Sequence, residues 1–298
     1  PSLLYEPIDY ILGLGGKRMR PILVLMAYQL FDKNIEKAIS PALAIEVFHN
    51  FTLLHDDIMD NAPLRRGQKT VHEKWNNNVA ILSGDTMLVQ AYQLIAQVDD
   101  TIVKQVLAVF SKAAIQVCEG QQCDMDFETQ SDVSIPDYLK MIEYKTAVLL
   151  GAALQIGGIT AGASKEDQNH LYAFGRDLGI AFQLKDDLLD AFGDADAFGK
   201  QVGGDIMANK KTYLYLKALA LADGTQRQNL EQYFSTNDTS QVKVDAVKTI
   251  FSNLKIPELT TNLIREYHAR AMENLAAIDS ENKEPLLAFS ALLMDRVS

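Results

Sequence analysis

Basic residues are in short supply in this chain: Lys and Arg number 28 against 39 Asp and Glu, a formal charge of −11 at pH 7. A nucleic-acid surface or an anionic lipid face needs stripes of Lys and Arg, so this balance argues against both partners. It leaves room for a small anionic substrate wherever cations collect locally. Cysteine is scarcer still. Cys118 and Cys123, five residues apart, match neither zinc-ligand spacing nor a disulfide framework and are expected to be buried thiols in a reducing cytosol. No basic-then-apolar leader occupies Pro1 to Pro7, and no uninterrupted apolar run is long enough to span a bilayer. A soluble, cytoplasmic protein with no integral membrane segment is expected, and its abrupt start implies that a short N-terminal stretch is missing. Linkers are lacking too. The 8 prolines are scattered and no Ser/Gly/Pro-rich break divides the 298 residues, so one domain over residues 1–298 is favoured although length alone permits two.

What is present is a composition of 48% hydrophobic and 22% charged residues, enough for a large core. Apolar residues recur at three- and four-residue steps, as in Ile22, Leu25, Met26 and Leu30, or Leu171, Phe174, Leu178, Ala181 and Phe182. No stretch sustains period-two alternation, so the fold is predicted to be all-α. Helices are predicted at 3–12, 19–32, 36–60, 74–97, 100–127, 135–160, 165–193, 210–223, 225–235, 241–252, 257–278 and 283–296. Ser164 followed by Glu166 and Asp167 reads as a helix start with acids in the first turn. Gly13, Gly15 and Gly16 mark a loop, and Pro21 sits where a first helical turn tolerates it. Helix 36–60 has few polar residues between Ala38 and Phe51, a pattern that implies burial on most faces. Such a helix ends in carboxylates only if something compensates them.

Two sets of carboxylates stand out: Asp56-Asp57-x-x-Asp60 and Asp186-Asp187-x-x-Asp190. Residues four apart on a helix lie nearly one above the other, so Asp56 and Asp60 share a face with Asp57 beside them, and the second set repeats the arrangement. Three crowded carboxylates repel one another unless cations bind between them. Mg²⁺ suits such oxygen donors and takes only one or two from a protein, keeping positions for water and phosphate oxygens. One copy could equally be a solvated acidic helix end. Two copies, each followed by glycines and cations, weaken that reading: Arg65-Arg66-Gly67 follows the first, and Gly193, Gly199-Lys200, Gly203-Gly204-Asp205 and Lys210-Lys211 follow the second. Arginine forks and lysine charges would hold the outer oxygens of a diphosphate. Gly15-Gly16-Lys17-Arg18-Met19-Arg20-Pro21 adds three cations at a loop-to-helix junction, where free amides also favour an anion. This is a second candidate diphosphate site.

Together these segments resemble the trans-isoprenyl diphosphate synthases, the polyprenyl synthetase family, and most resemble its short-chain farnesyl and geranylgeranyl diphosphate synthases. The match includes Gly15 to Pro21, His55-Asp56-Asp57-Ile58-Met59-Asp60, Arg65-Arg66-Gly67, Gly120-Gln121-Gln122-Cys123-Asp124, Tyr144-Lys145-Thr146, Phe182 to Asp190, Gly199-Lys200, Gly203-Gly204-Asp205-Ile206 and Lys210. The resemblance implies a single large bundle of roughly ten to twelve mostly antiparallel helices around a central apolar cavity. It also implies a homodimer. The implied reaction is head-to-tail condensation of isopentenyl diphosphate with an allylic diphosphate (dimethylallyl, geranyl or farnesyl). By the same resemblance, Asp56, Asp57, Asp60, Asp186, Asp187 and Asp190 bind three Mg²⁺ ions bridging the allylic diphosphate, which Arg65, Lys145 and Lys200 also contact. Asp124, Asp205 and Lys210 lie close by. Lys17, Arg20, His49 and Arg66 hold isopentenyl diphosphate, and Thr146 and Gln183 turn their dipoles towards the developing carbocation. Ionising an allylic C–O bond requires stabilised diphosphate in a site closed to water, which agrees with this inventory.

Product length in the family follows from how soon the growing tail meets a bulky side chain beneath the first aspartate motif. Phe51 lies five residues before Asp56, Thr52 four and Phe48 eight, roughly 6 to 12 Å down a helix. Helical phase favours Thr52 and Phe48, whereas the resemblance singles out Phe51. A shallow floor is expected, giving geranylgeranyl diphosphate (C20), with farnesyl diphosphate (C15) next. Trp75 reads as packing, and His72, His170 and His268 have no ligand-like spacing. Two rivals stand beside this reading. A terpene cyclase also uses aspartate-rich helices but needs neither the Gly15-to-Pro21 site nor a second full aspartate motif. A non-catalytic partner subunit could lose these ligands without losing its fold, yet all six aspartates are present.

Overall fold

The computed structural model describes residues 1–193 and 203–295. The fold is all-α; its strands are the two-residue pair β1 (Leu64–Arg65) and β2 (Gln68–Lys69), joined antiparallel. By its internal contacts the chain divides into two compact units, and each is built from discontinuous segments.

The first unit comprises Pro1–Ala113, Leu149–Tyr172 and Ile278–Leu286. It contains α1 (Ser2–Gly13), α2 (Met19–Gln29), α3 (Glu36–Met59), α4 (Val71–Lys74), α5 (Asn77–Ile95) and the start of α6 (Val103–Thr129). Its axis is α3, which packs against α2 and α5. Ala38, Ala44, Ile45, Phe48 and Leu54 are buried there, but Ile39 and Leu43 are about half exposed, so the apolar run of α3 is less enclosed than its composition implies. The predicted helix at 74–97 is divided: Asn76 leaves the helix in extended backbone and its side chain accepts from Val79 N (3.0 Å), starting α5 afresh. Gly13 ends α1, while Gly15 and Gly16 adopt positive φ in the turn before α2. Ser164 opens α9 (Lys165–Phe192) as predicted: Asp167 N donates to Ser164 Oγ (3.1 Å), which donates to Asp167 Oδ2 (2.6 Å).

The second unit comprises Ala114–Val148, Ala173–Ala277 and Leu287–Ser298. It holds the rest of α6, then α7 (Ile135–Ile142), a five-residue π-helical turn (Glu143–Ala147), the first residue of α8 (Val148–Thr160) and most of α9. After these come α10 (Gly204–Met207), α11 (Tyr213–Leu221), α12 (Gly224–Phe234), α13 (Gln241–Asn253), α14 (Ile256–Ala277) and the end of α15 (Glu284–Met294). Reciprocal Ser134–Asp137 and Asp223–Gln226 boxes start α7 and α12. The core gathers Tyr138, Met141, Ile180, Leu184, Leu214, Val244 and Phe251. The helix predicted at 135–160 is interrupted by the π turn, which inserts one residue without disturbing the apolar spacing on either side. Gly120 faces the backbone of Tyr144 and Lys145 so closely that a Cβ would overlap it, and the widened turn is what α6 approaches. The cysteines depart from expectation: Cys118 is exposed on α6, and Cys123, though it packs against the core, is only half-buried. Among the described residues no helix is long and apolar enough to cross a membrane.

Candidate active site

Most of the candidate site residues fall into two groups of charged side chains, one in each unit. In the first unit α3 delivers Asp56, Asp57 and Asp60 at its C-terminal end, where Asp60 N closes the last turn on Asp56 O (2.8 Å). Asp57 is buried, and it is compensated: Arg65, on β1, gives Nε to both carboxylate oxygens (2.9 and 2.8 Å) and NH2 to Oδ1 (2.7 Å). Such a fork is the strongest geometry available to a carboxylate. The tight hairpin that carries Arg65 turns through positive φ at Arg66 and Gly67 and sends Arg66 back to donate to Gly15 O. Gly16 is needed at that crossing, since a Cβ there would strike the Arg66 guanidinium.

The cations of this unit form a compact set. Arg18, at positive φ, donates to Glu46 and to Leu12 O, and Asn50 Nδ2 donates to Glu46 O (2.8 Å) and Oε1 (2.9 Å). Arg20 NH1 lies 3.1 Å from His49 Nε2. Burial lowers the Arg20 pKa to about 10, partly offset by Glu46. Burial and then Arg20, Arg66, Arg65 and Arg18 hold His49 well below its usual 6.5. Arg66 is also lowered, by burial and by Arg18 and Arg65. Arg20 Nε is buried with no hydrogen-bond partner among the described residues. A crowded cationic group with an orphan donor is a site for an anion. Lys17 is exposed at its edge. Glu46 and Asn50 were not among the expected site residues, and Arg18 was expected only as one of the three cations of the Gly15-to-Pro21 segment; the signal available was Glu46 and Asn50 lying in an otherwise apolar helix.

Beneath Asp56 the side chains are aromatic. Phe51 meets His55 edge-on (4.8 Å between centroids) and Phe48 (5.6 Å), while Phe48 meets Phe110 (5.3 Å), which meets Tyr92 (5.0 Å). Phe48 is sealed in this cluster, and Phe51 stands nearer its edge. Thr52 Oγ1 donates to His49 O (2.8 Å). Phe110 and Tyr92, contributed by α6 and α5, escaped the sequence reading because their contacts with α3 are long-range.

In the second unit α9 carries Gln183, Asp186, Asp187 and Asp190. Asp187 is buried and accepts from the Tyr138 hydroxyl and from Gln183 Nε2 (3.0 Å). Burial, followed by Asp205, raises its pKa to about 7; Asp186 adds to the rise, while the two hydrogen bonds oppose it. Thr146, in the π turn, reaches Gln183 Oε1 at 3.4 Å, and Lys145 Nζ binds Asp124 Oδ2 of α6 at 2.5 Å. Asp190 organises the start of α10, accepting from Gly203 N (2.6 Å, at its backbone O) and Asp205 N (2.9 Å, at Oδ2). Lys210 Nζ stands 3.7 Å from Asp205 Oδ1. Lys200 lies outside the described residues.

Among the described residues no three Asp, Glu, His or Cys side chains converge into a ready-made metal cage. Mg²⁺ takes one or two protein carboxylates and otherwise water and phosphate oxygens. The charge around Asp187 fits such an ion. Asp186, Asp187 and Asp205 repel one another enough to shift a proton equilibrium, and a divalent cation relieves that repulsion.

Comparison with known proteins agrees with the geometry. A family profile described as polyprenyl synthetase matches residues 1–253. The geranylgeranyl diphosphate synthase of Methanosarcina mazei is 41% identical over 220 residues, 73% of this chain and 68% of that protein. The geranylfarnesyl diphosphate synthase of Natronomonas pharaonis is likewise 41% identical, over 73% of this chain and 69% of its own. A crystal structure of a geranylgeranyl pyrophosphate synthase superposes with a TM-score of 0.95 at 48% identity, covering 100% of this chain and 93% of that one.

Proposed function

From the premise that this chain belongs to the polyprenyl synthetase family and is a trans-prenyltransferase, we propose that it joins isopentenyl diphosphate head-to-tail to an allylic diphosphate and releases geranylgeranyl diphosphate. The observation that carries the reading is the arginine group of the first unit. Arg18, Arg20, Arg65 and Arg66 surround a neutral His49, and Glu46 and Asp57 are the carboxylates that compensate them. A single-substrate ionising enzyme has no use for so many cations behind an aspartate motif; a second diphosphate does.

In this reading residues 1–298 act as one catalytic domain. Asp56, Asp57, Asp60, Asp186, Asp187 and Asp190 would hold Mg²⁺, three ions being expected with the allylic diphosphate bound. When bound, the ions supply charge to the departing diphosphate of the allylic substrate. Arg65, Lys145 and Lys200 hold that diphosphate's outer oxygens, with Asp124, Asp205 and Lys210 alongside. Lys17, Arg20, His49 and Arg66 orient isopentenyl diphosphate, so that its double bond attacks the allylic carbon and a proton then leaves. Thr146 Oγ1 and Gln183 Oε1 offer negative dipoles to the carbocation, and the apolar surroundings keep water from quenching it. The protein works as a cytoplasmic homodimer.

Product length is read from the aromatic cluster, since sequence identity is equal to a geranylgeranyl and a geranylfarnesyl synthase. Phe48 is locked against Phe110 and Phe51, a floor that suits C20, with C15 the alternative. The test supplies purified protein with Mg²⁺, isopentenyl diphosphate and each allylic starter, and resolves products by mass. Elongation to C20 is expected, and Phe51→Ala is expected to lengthen the longest product. Cyclised hydrocarbon or no condensation overturns the function, and an unchanged product from Phe51→Ala removes Phe51 as the floor.

A further inference from the structure

The middle aspartates of the two motifs are held in different ways. Asp57 receives a guanidinium fork from Arg65. Asp187 receives two neutral donors, the Tyr138 hydroxyl and Gln183 Nε2. Tyr138 is itself buried, so its hydroxyl must find a partner inside the protein, and the partner it finds lies 49 residues away on α9. The tyrosine ring is fixed from below by α7, whose first turn is locked by the reciprocal Ser134–Asp137 box. Gln183, the other donor, is engaged with Thr146 at its opposite end. Rotation of the Asp187 side chain is therefore limited at one oxygen by α7 and at the other by the π turn.

Resting on the functional reading above, we propose that Tyr138 is a positioning residue for the second aspartate motif. Its hydroxyl holds the Asp187 carboxylate in one rotamer, and so presents the acidic face of α9 to the metal-bridged diphosphate already in order. Without the hydroxyl, Asp187 keeps one donor and is free to turn. Metal and allylic diphosphate then bear the cost of ordering it, while isopentenyl diphosphate, held by the arginines of the first unit, is unaffected.

The test is Tyr138→Phe, which removes one oxygen and keeps the ring. Two readouts are used: the Mg²⁺ concentration for half-maximal condensation, and the Mg²⁺ concentration for half-maximal thermal stabilisation by inorganic diphosphate, which requires no turnover. Both are expected to rise about tenfold, the factor for one hydrogen bond to a charged group. The allylic KM rises with them and the isopentenyl diphosphate KM does not. Asp223→Ala, which opens the box at the start of α12, is the structural control, expected to lower the melting temperature and to leave both Mg²⁺ midpoints in place. Wild-type midpoints in Tyr138→Phe overturn the proposal, as does a variant that fails to fold or an Asp223→Ala that shifts the midpoints equally. A wild-type chain that is stabilised by Mg²⁺ and diphosphate but condenses nothing defeats the functional reading alone, and the thermal midpoints still judge Tyr138.

Discussion

At the scale of single residues, His49 links the chemistry of the cationic site to stability. Burial and four arginines hold its pKa well below 6.5, so the folded protein keeps it neutral while an unfolded chain protonates it near that value. A depressed histidine pKa contributes stability that is present above the unfolded value and lost as pH falls beneath it. His49→Gln removes this dependence. The melting-temperature gap between wild type and variant should therefore change below pH 6.5, with wild type losing up to about 1.4 kcal/mol more per pH unit; parallel pH profiles would sink the assignment. His49 and the arginines were legible in the sequence because their spacing is local or carried by the family resemblance. Glu46 with Arg18, and Tyr138 with Asp187, were not: each pair spans 28 or 49 residues, and no periodicity encodes which buried acid meets which donor.

Elements were legible where a cap or a strong apolar period marks them. α3 and α9 fall within a residue of their predicted limits, α9 because a period-3.6 stripe follows a capped start and α3 because a long, mostly apolar run ends in its aspartates. The π turn at Glu143–Ala147 was read as ordinary helix because a one-residue insertion shifts helical phase without changing composition. Its role is geometric: it carries Lys145 to Asp124 and Thr146 to Gln183, and Gly120 lets α6 come close enough for the first of these. Gly120→Ala puts a methyl group into the Lys145 backbone. The expected cost is about 1–3 kcal/mol of stability, typical of overpacking, seen as a lower denaturant midpoint. Turnover should fall further than stability does, because Lys145 moves with the backbone. A variant with a normal midpoint and normal turnover would show that α6 and the turn are not in register-critical contact.

At the scale of the whole molecule, the remaining question is what covers the apolar side chains left at the surface. On α5, Leu82 and Val89 are each 59% exposed and Ile81 is 42% exposed, and on α6 Ile115 is 61% exposed. Leu82 and Val89 are seven residues apart, two helical turns, so they line one face of α5. Asp85 is exposed between them, so on a chain of net charge −11 the pairing of this largely apolar face leaves one carboxylate per copy to accommodate. A two-fold dimer would set this face against itself. Sedimentation should give a dimer for the wild type and a monomer for Leu82→Asp/Val89→Asp. If the double variant stays dimeric, α5 is not the joining face; if the wild type is a monomer, the exposed stripe is simply solvated.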